Sequence, residues 1–172
     1  CTGMIKEHYP HLFEGVEGWE EKAKNLAGRT HELMSFLVDV LGVTEIPGTH
    51  DGTFAYHDSC SGLRELGIKS QPRQLLSGLE SLSIDEYEGA ESCCGFGGTF
   101  CVKYSDISDK MVSTRMDQIT ATSADMLLGG DLGCLMNLAG KLKREGSSVQ
   151  VRHAAEVLAG MTDLPPIAEG KD

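Results

Sequence analysis

No stretch of the sequence approaches the roughly 18 consecutive apolar residues of a membrane-spanning helix. Nor does a basic segment followed by an apolar one open the chain as a leader would. Positive charge is scarce: Lys and Arg number 15 against 26 Asp and Glu, a formal net charge of −11. Nucleic acid and anionic membrane surfaces are reached through basic patches, so this balance speaks against both as partners and leaves a basic protein partner open. Paired C-x2–4-C knuckles, the usual mark of a structural zinc site, are missing, as are internal repeats and low-complexity segments. The six cysteines (Cys1, Cys60, Cys93, Cys94, Cys101 and Cys134) are too widely spread for the dense framework of a small disulfide-stapled secreted domain. They read instead as a ligand or redox site in the cytoplasm, with a disulfide scaffold or inert buried thiols as the alternatives. A chain of 172 residues buries about 70% of its unfolded surface as one domain, and needs neither disulfide nor metal merely to be compact. It begins at Cys1 rather than Met, which reads as a piece of a longer polypeptide.

What is present is an alternation of helical and strand patterns. Residues 1–12 read as a short helix stopped near Pro10. Residues 17–41 read as a longer one, with Trp19, Ala23, Leu26, Thr30, Leu33, Leu37 and Leu41 on one face and Gly42 as its C-cap. Asp51-Gly52 marks a turn before a short strand over 53–56, which ends at His57-Asp58-Ser59-Cys60. Helices are expected over 61–66 and, with proline near the start, over 72–79; a weak strand is expected over 81–85. Ser105 reads as the N-cap of an amphipathic helix carrying Ile107, Met111, Val112, Met116 and Ile119. A strand over 124–128, a helix from Cys134 to Arg144, a strand over 149–151 and a last helix from His153 follow. The fold class is therefore α/β, a Rossmann-like layered domain with a mainly parallel sheet. The expected organisation is a single domain over 1–164 and a loose tail over 165–172. Ligands gather at the carboxyl ends of such strands, where Cys60 and Cys134 fall.

The most informative run is Glu91-Ser-Cys-Cys-Gly-Phe-Gly-Gly-Thr-Phe100. Adjacent thiols in a glycine-rich turn are poorly placed to build a core and well placed to hold something. Gly95, Gly97 and Gly98 allow positive φ, and successive N–H groups in such a loop donate to sulfur or to an anion. Cys60, Cys93, Cys94 and Cys134 offer four thiolates from three separate places, a donor set that suits a zinc ion or an iron–sulfur cluster. Neighbouring cysteines favour the larger object, because each can reach a different metal atom. Backbone N–H groups would offset its negative charge.

The spacing, with 32 residues between Cys60 and Cys93 and 39 between Cys94 and Cys134, resembles the cysteine-rich CCG domain. That domain is found in heterodisulfide reductases, in glycolate oxidase iron–sulfur subunits and in the lactate utilisation protein A group. The words Cys1-Thr-Gly-Met-Ile-Lys-Glu-His-Tyr-Pro10, His57-Asp-Ser-Cys60-Ser-Gly-Leu-Arg-Glu-Leu-Gly67, Cys93-Cys-Gly-Phe-Gly-Gly-Thr-Phe100 and Asp131-Leu-Gly-Cys134-Leu-Met-Asn137 are most similar to the last group. The similarity runs from Cys1 to about Gly160. It implies the second of two tandem copies, acting as the iron–sulfur electron-transfer domain of a complex that oxidises L-lactate or glycolate, with Cys60, Cys93, Cys94 and Cys134 as cluster ligands. Ferredoxin-type iron–sulfur and flavin proteins are the implied partners. The implied place is the cytoplasm, peripheral to the membrane through those partners. The full family pattern closes in C-x-x-C, and position 137 here is Asn137. Without the fifth thiol, a four-thiolate 4Fe–4S cubane, or zinc in its place in a protein prepared in air, is the more economical fit. The second reading is a zinc-binding or vicinal-dithiol redox module without iron.

Further candidates around this set are Cys1, Cys101, His57 and His153. His57 and Asp58 stand just before Cys60, where a histidine can orient a ligand or move a proton. His153 is a nitrogen donor should one thiol drop out. Arg64 and Arg73 are candidates to grip a carboxylate, with surface ion pairing as the default.

Overall fold

The computed structural model describes residues 1–169. Among these, strands β1 (Gly48–His57), β2 (Leu79–Ile84), β3 (Met126–Gly129) and β4 (Gln150–His153) form one sheet in the order β2-β1-β3-β4. Every neighbouring pair is parallel. Side chains alternate across the pleat. Phe54, Tyr56, Met126 and Leu128 face one layer of helices, and Ala55, Leu127 and Val151 face the other. The first layer is α3 (Leu33–Ser35), α5 (Ser70–Leu76) and α9 (Ala154–Leu158), contributing Met34, Leu75, Leu76 and Val157. The second is α7 (Ser105–Thr120) and α8 (Leu132–Arg144), contributing Val112, Ile119, Leu135, Leu138 and Leu142. Covering both faces explains why β3 is buried along its whole length. This is the layered α/β fold with a parallel sheet that the sequence predicts.

The N-terminal third departs from expectation. In place of one helix over 17–41 there is α2 (Glu20–Arg29), an extended residue at Thr30, and then α3 continuing through a π-type turn, Phe36–Val40. Glu32 makes the restart, its carboxylate accepting from the N–H groups of Met34 (2.8 Å) and Ser35 (3.1 Å). The break resets the helical phase, so Trp19, Leu26, Leu33 and Leu41 are exposed while Ala23, Ala27 and Met34 are buried. Pro10 does not stop a helix either. It lies in the first turn of α1 (Tyr9–Leu12), behind a π-type segment, Met4–His8. Helix α7 does start at Ser105, but without a side-chain cap, and the short α6 (Phe100–Lys103) precedes it. Ile167 lies along β4, its N–H donating to the Val151 carbonyl at 2.9 Å, and residues 170–172 of the tail expected over 165–172 lie outside the described residues. No described helix is long and apolar enough to cross a membrane.

The connections decide where a ligand sits. From β1 the chain runs through α4 (Cys60–Leu66) and α5 to β2 on one side. It then crosses back over β1 through α6 and α7 to β3, and leaves through α8 for β4 on the other side. The strand order reverses between β1 and β3, and a crevice opens at their carboxyl ends where the connections diverge. The last registered pair there is His57 with Gly129.

Candidate metal centre

Local structure sets where each thiol sits at this end of the sheet. After β1, the Ser59 hydroxyl accepts from the Gly62 N–H (3.1 Å) and starts α4, whose first residue is Cys60. After β3, the Asp131 carboxylate accepts from the Cys134 N–H (3.0 Å), fixing Cys134 in the first turn of α8. The Cys93–Cys94 pair comes from the loop after β2, where Gly95, Gly97 and Gly98 all have positive φ, +88°, +52° and +61°. There the Gly95 N–H points to the Cys93 sulfur (3.4 Å) and the Phe96 N–H to the Cys94 sulfur (3.5 Å). The loop is anchored to both neighbouring helices. The buried Ser108 hydroxyl donates to the Gly95 carbonyl (2.9 Å), and the Asn137 amide donates to the Cys94 carbonyl (3.0 Å).

Gly95 packs against the backbone of a neighbouring helix. A Cβ there would lie 2.8 Å from the Ser108 carbonyl oxygen on α7, and the left-handed backbone alone costs a non-glycine residue about 1–2 kcal/mol. Gly95→Ala is therefore expected to lower stability by at least about that amount and to weaken metal retention in the same protein. Denaturant unfolding and metal content after dialysis check the two effects.

A ring nitrogen of His57 and the sulfurs of Cys94 and Cys134 lie within 4.8 Å of one another. All three residues are buried, at 2%, 2% and 7% exposure. Nδ1 of His57 is hydrogen-bonded to the Tyr87 hydroxyl at 2.7 Å. That leaves Nε2 for the sulfurs, and Nε2 is buried with no hydrogen-bond partner among the described residues. The two thiols divide one charge. Hydrogen bonding from Cys134, opposed by burial and helped by His57 and the Phe96 N–H, brings Cys94 well below the ordinary thiol range. Cys134, which gives that hydrogen bond and is itself buried, is pushed far up. Cys60 is raised by burial and by the Cys93 and Cys94 thiols, but neither it nor Cys93 belongs to the close group of His57, Cys94 and Cys134. Two buried sulfurs this close suit a thiophilic metal, and the His57 nitrogen beside them is a buried polar atom still in want of a partner.

The other candidates lie elsewhere. His153 caps α9, with Nδ1 accepting from the Ala155 N–H (3.1 Å) and Nε2 against the Gly130 carbonyl (3.1 Å), so both ring nitrogens are engaged by backbone. The Cys101 thiol donates to the Gly98 carbonyl at 3.0 Å. Cys1 is exposed at the head of a segment that packs on α4, where a Cβ on the buried Gly3 would lie 2.6 Å from the Ser61 hydroxyl. Arg64 is exposed. Arg73 is already taken by Asp58 and Glu86 and borders a cleft of about 490 Å3 shared with Lys69 and Tyr87. None of the six cysteines is in a disulfide. Sequence reasoning misses Tyr87, whose contact with His57 spans 30 positions and follows no motif. It reads Asn137 only as a lost thiol.

Residues 54–139 match the family model of the CCG cysteine-rich domain, a span that holds Cys60, Cys93, Cys94 and Cys134. Over 158 residues the chain is 46% identical to Lactate utilization protein A of Oceanobacillus iheyensis, covering 92% of this chain and 64% of that protein. It is 47% identical over 159 residues to Lactate utilization protein A 2 of Bacillus cereus (strain AH820), covering 92% of this chain and 66% of that protein. Lactate utilization protein A 1 of Bacillus anthracis (strain CDC 684) is 46% identical over 159 residues, with the same coverage. The chain spans about two thirds of the length of these curated relatives. With the double-cysteine loop and both flanking thiols inside the matched span, the chain belongs to the CCG cysteine-rich domain family.

Proposed function

We propose that this chain is an iron–sulfur electron-transfer domain serving the oxidation of a small hydroxy-acid, L-lactate or glycolate, in the cytoplasm. In this reading Cys60, Cys93, Cys94 and Cys134 hold a 4Fe–4S cluster, and the partners are ferredoxin-type iron–sulfur and flavin proteins. The observation that carries it is the meeting of Cys94 and Cys134, from two remote segments, beside His57, with loop N–H groups aimed at sulfur and Cys60 at the start of the helix that follows β1. The relatives' name, Lactate utilization protein A, supplies the metabolic direction. When bound, the cluster supplies a one-electron relay. The chain's own residues do the rest. Cys60 and Cys134 are presented from helix N-termini, where the helix dipole favours negative sulfur. The Gly95 and Phe96 N–H groups offset further charge, and Asn137 and Ser108 hold the loop still. Burial of Cys94 and Cys134 keeps water from them.

The test is anaerobic reconstitution of the full-length protein with iron and sulfide. The expected product has broad absorption near ~400 nm and a paramagnetic signal that changes on reduction. A colourless protein that stays folded and takes up no iron overturns the proposal. One observation favours a second reading, a mononuclear zinc site. The close grouping of His57, Cys94 and Cys134 has the size and ligand types of such a site. Zinc bound after anaerobic loading with both metals present, with no iron retained, would establish it instead.

A further inference from the structure

We propose that Tyr87 is a positioning residue that fixes the tautomer of His57, so that Nε2–H donates a hydrogen bond to sulfur of the metal centre rather than serving as a nitrogen ligand. This rests on the cluster reading above for its redox consequence, but not for the tautomer itself.

In a buried place every proton needs an acceptor. The Tyr87 hydroxyl and His57 Nδ1 are 2.7 Å apart, and the two residues are 5% and 2% exposed. Only one proton can occupy that hydrogen bond, so either the hydroxyl donates to Nδ1 or Nδ1–H donates to the hydroxyl oxygen. In the second case the hydroxyl proton needs another acceptor. Among the described residues the Tyr87 hydroxyl has no other hydrogen bond. Its cationic neighbour Arg115 is itself a donor, bound to the Gly89 carbonyl at 2.7 Å. The Asp58 carboxylate is committed to both terminal nitrogens of Arg73 at 2.9 Å. A buried hydroxyl proton without an acceptor costs about 1–3 kcal/mol. The satisfied arrangement has Tyr87 donating to Nδ1, which places the ring proton on Nε2.

That assignment also accounts for the unpartnered Nε2. A ring nitrogen of His57 lies within 4.8 Å of the sulfurs of Cys94 and Cys134; with Nδ1 turned to Tyr87, Nε2–H finds its acceptor there when those sulfurs carry charge, as they do around a metal. It then works as the Gly95 and Phe96 N–H groups do, but from a side chain. Hydrogen bonds to sulfur stabilise the reduced, more negative state of a cluster and raise its potential. His57 is thus a tuning donor, and Tyr87 keeps it one.

Two measurements test this. In the metal-free full-length protein, nitrogen-15 resonances of the His57 ring are expected to show Nε2 protonated and Nδ1 bare; the reverse pattern overturns the proposal without any mutation. In the reconstituted protein, Tyr87→Phe and His57→Gln are both expected to keep the wild-type iron content, and Tyr87→Phe is expected to shift the midpoint potential downward. Loss of iron in a folded His57→Gln protein, the mark of a ligand, overturns it, as does an unchanged potential in Tyr87→Phe. Wild-type iron uptake is the control that separates the two ideas. If the wild-type chain binds none, the cluster reading falls while the nitrogen-15 pattern still decides the tautomer.

Discussion

Cys134→Ser is expected to abolish iron uptake while leaving the fold intact, the largest effect on the metal centre of any single change in the chain. Serine is close to cysteine in size, and its hydroxyl still accepts the packing of Leu135 and Leu138 around the first turns of α8. The Asp131 cap on the backbone N–H of position 134 is untouched, so the helix is still held in place. What disappears is a soft donor at the centre of the site, within 4.8 Å of Cys94 and the His57 ring, and a hydroxyl is a poor substitute at a thiophilic metal. Cys101→Ser is the matched control. Its thiol is spent on the Gly98 carbonyl, a bond a hydroxyl makes equally well, and iron content is expected to stay at the wild-type level. Iron and sulfide analysis of both variants after anaerobic reconstitution checks the contrast. A vicinal-dithiol switch behaves differently: Cys134→Ser would keep the reversible two-thiol titration of Cys93 and Cys94. Iron retained in full by Cys134→Ser would remove the cluster from this site.

The meeting of Cys94 and Cys134 is legible because their chemistry is written in residue type and in position after a strand, and both survive small errors in element boundaries. The parallel sheet is legible for the same reason: β3 reads Met-Leu-Leu-Gly between turn signals and is buried throughout. Strand β1 is longer than its pattern suggests. Its first half, Gly-Thr-His-Asp-Gly, has turn-forming composition, yet it pairs with β2 across a register shift between Thr49 and Gly52. A local bulge makes strand of an apparent Asp51-Gly52 turn. The split of 17–41 into α2 and α3 is hidden because periodicity assumes a continuous phase, and the restart at Glu32 depends on a side-chain cap from an uncommon capping residue. Within the site, the hydrogen bond from Tyr87 to His57 and that from Asn137 to the Cys94 carbonyl join residues 30 and 43 positions apart. No local pattern marks them. They exist only because α8 and the loop before Cys93 close over the end of β1.

Arg73→Ala is expected to lower stability by about 3–5 kcal/mol, the usual result of stranding one member of a buried ion pair, from a total that is about 5–15 kcal/mol for an ordinary domain. Asp58 is only 2% exposed at its side chain. It is met fork to fork, Nη1 on Oδ1 and Nη2 on Oδ2, both at 2.9 Å. The same guanidinium reaches Glu86 and the Lys69 carbonyl and lies 4.9 Å from the centre of the Tyr56 ring. Burial alone would push Arg73 toward its neutral form, but Glu86 and Asp58 outweigh it and raise its pKa. The cation therefore persists wherever the protein is folded. Lysine offers one point charge in place of a planar fork, so Arg73→Lys is expected to recover only part of the loss. The effect reaches the metal centre through one short path. Asp58 directly follows His57, and its N–H donates to the Ala90 carbonyl at 3.1 Å, tying the end of β1 to the segment that leads into Cys93. Loosening Asp58 therefore loosens two walls of the crevice, and metal should be lost from Arg73→Ala at a denaturant concentration the wild-type protein tolerates. The double variant Arg73→Met with Asp58→Leu removes the stranded charge and is expected to be more stable than Arg73→Ala alone. Urea unfolding of the wild type and the three variants at matched slope checks the order. A single variant within about 1 kcal/mol of the wild type, a threshold at the level of an exposed pair, would reduce Asp58–Arg73 to a surface contact.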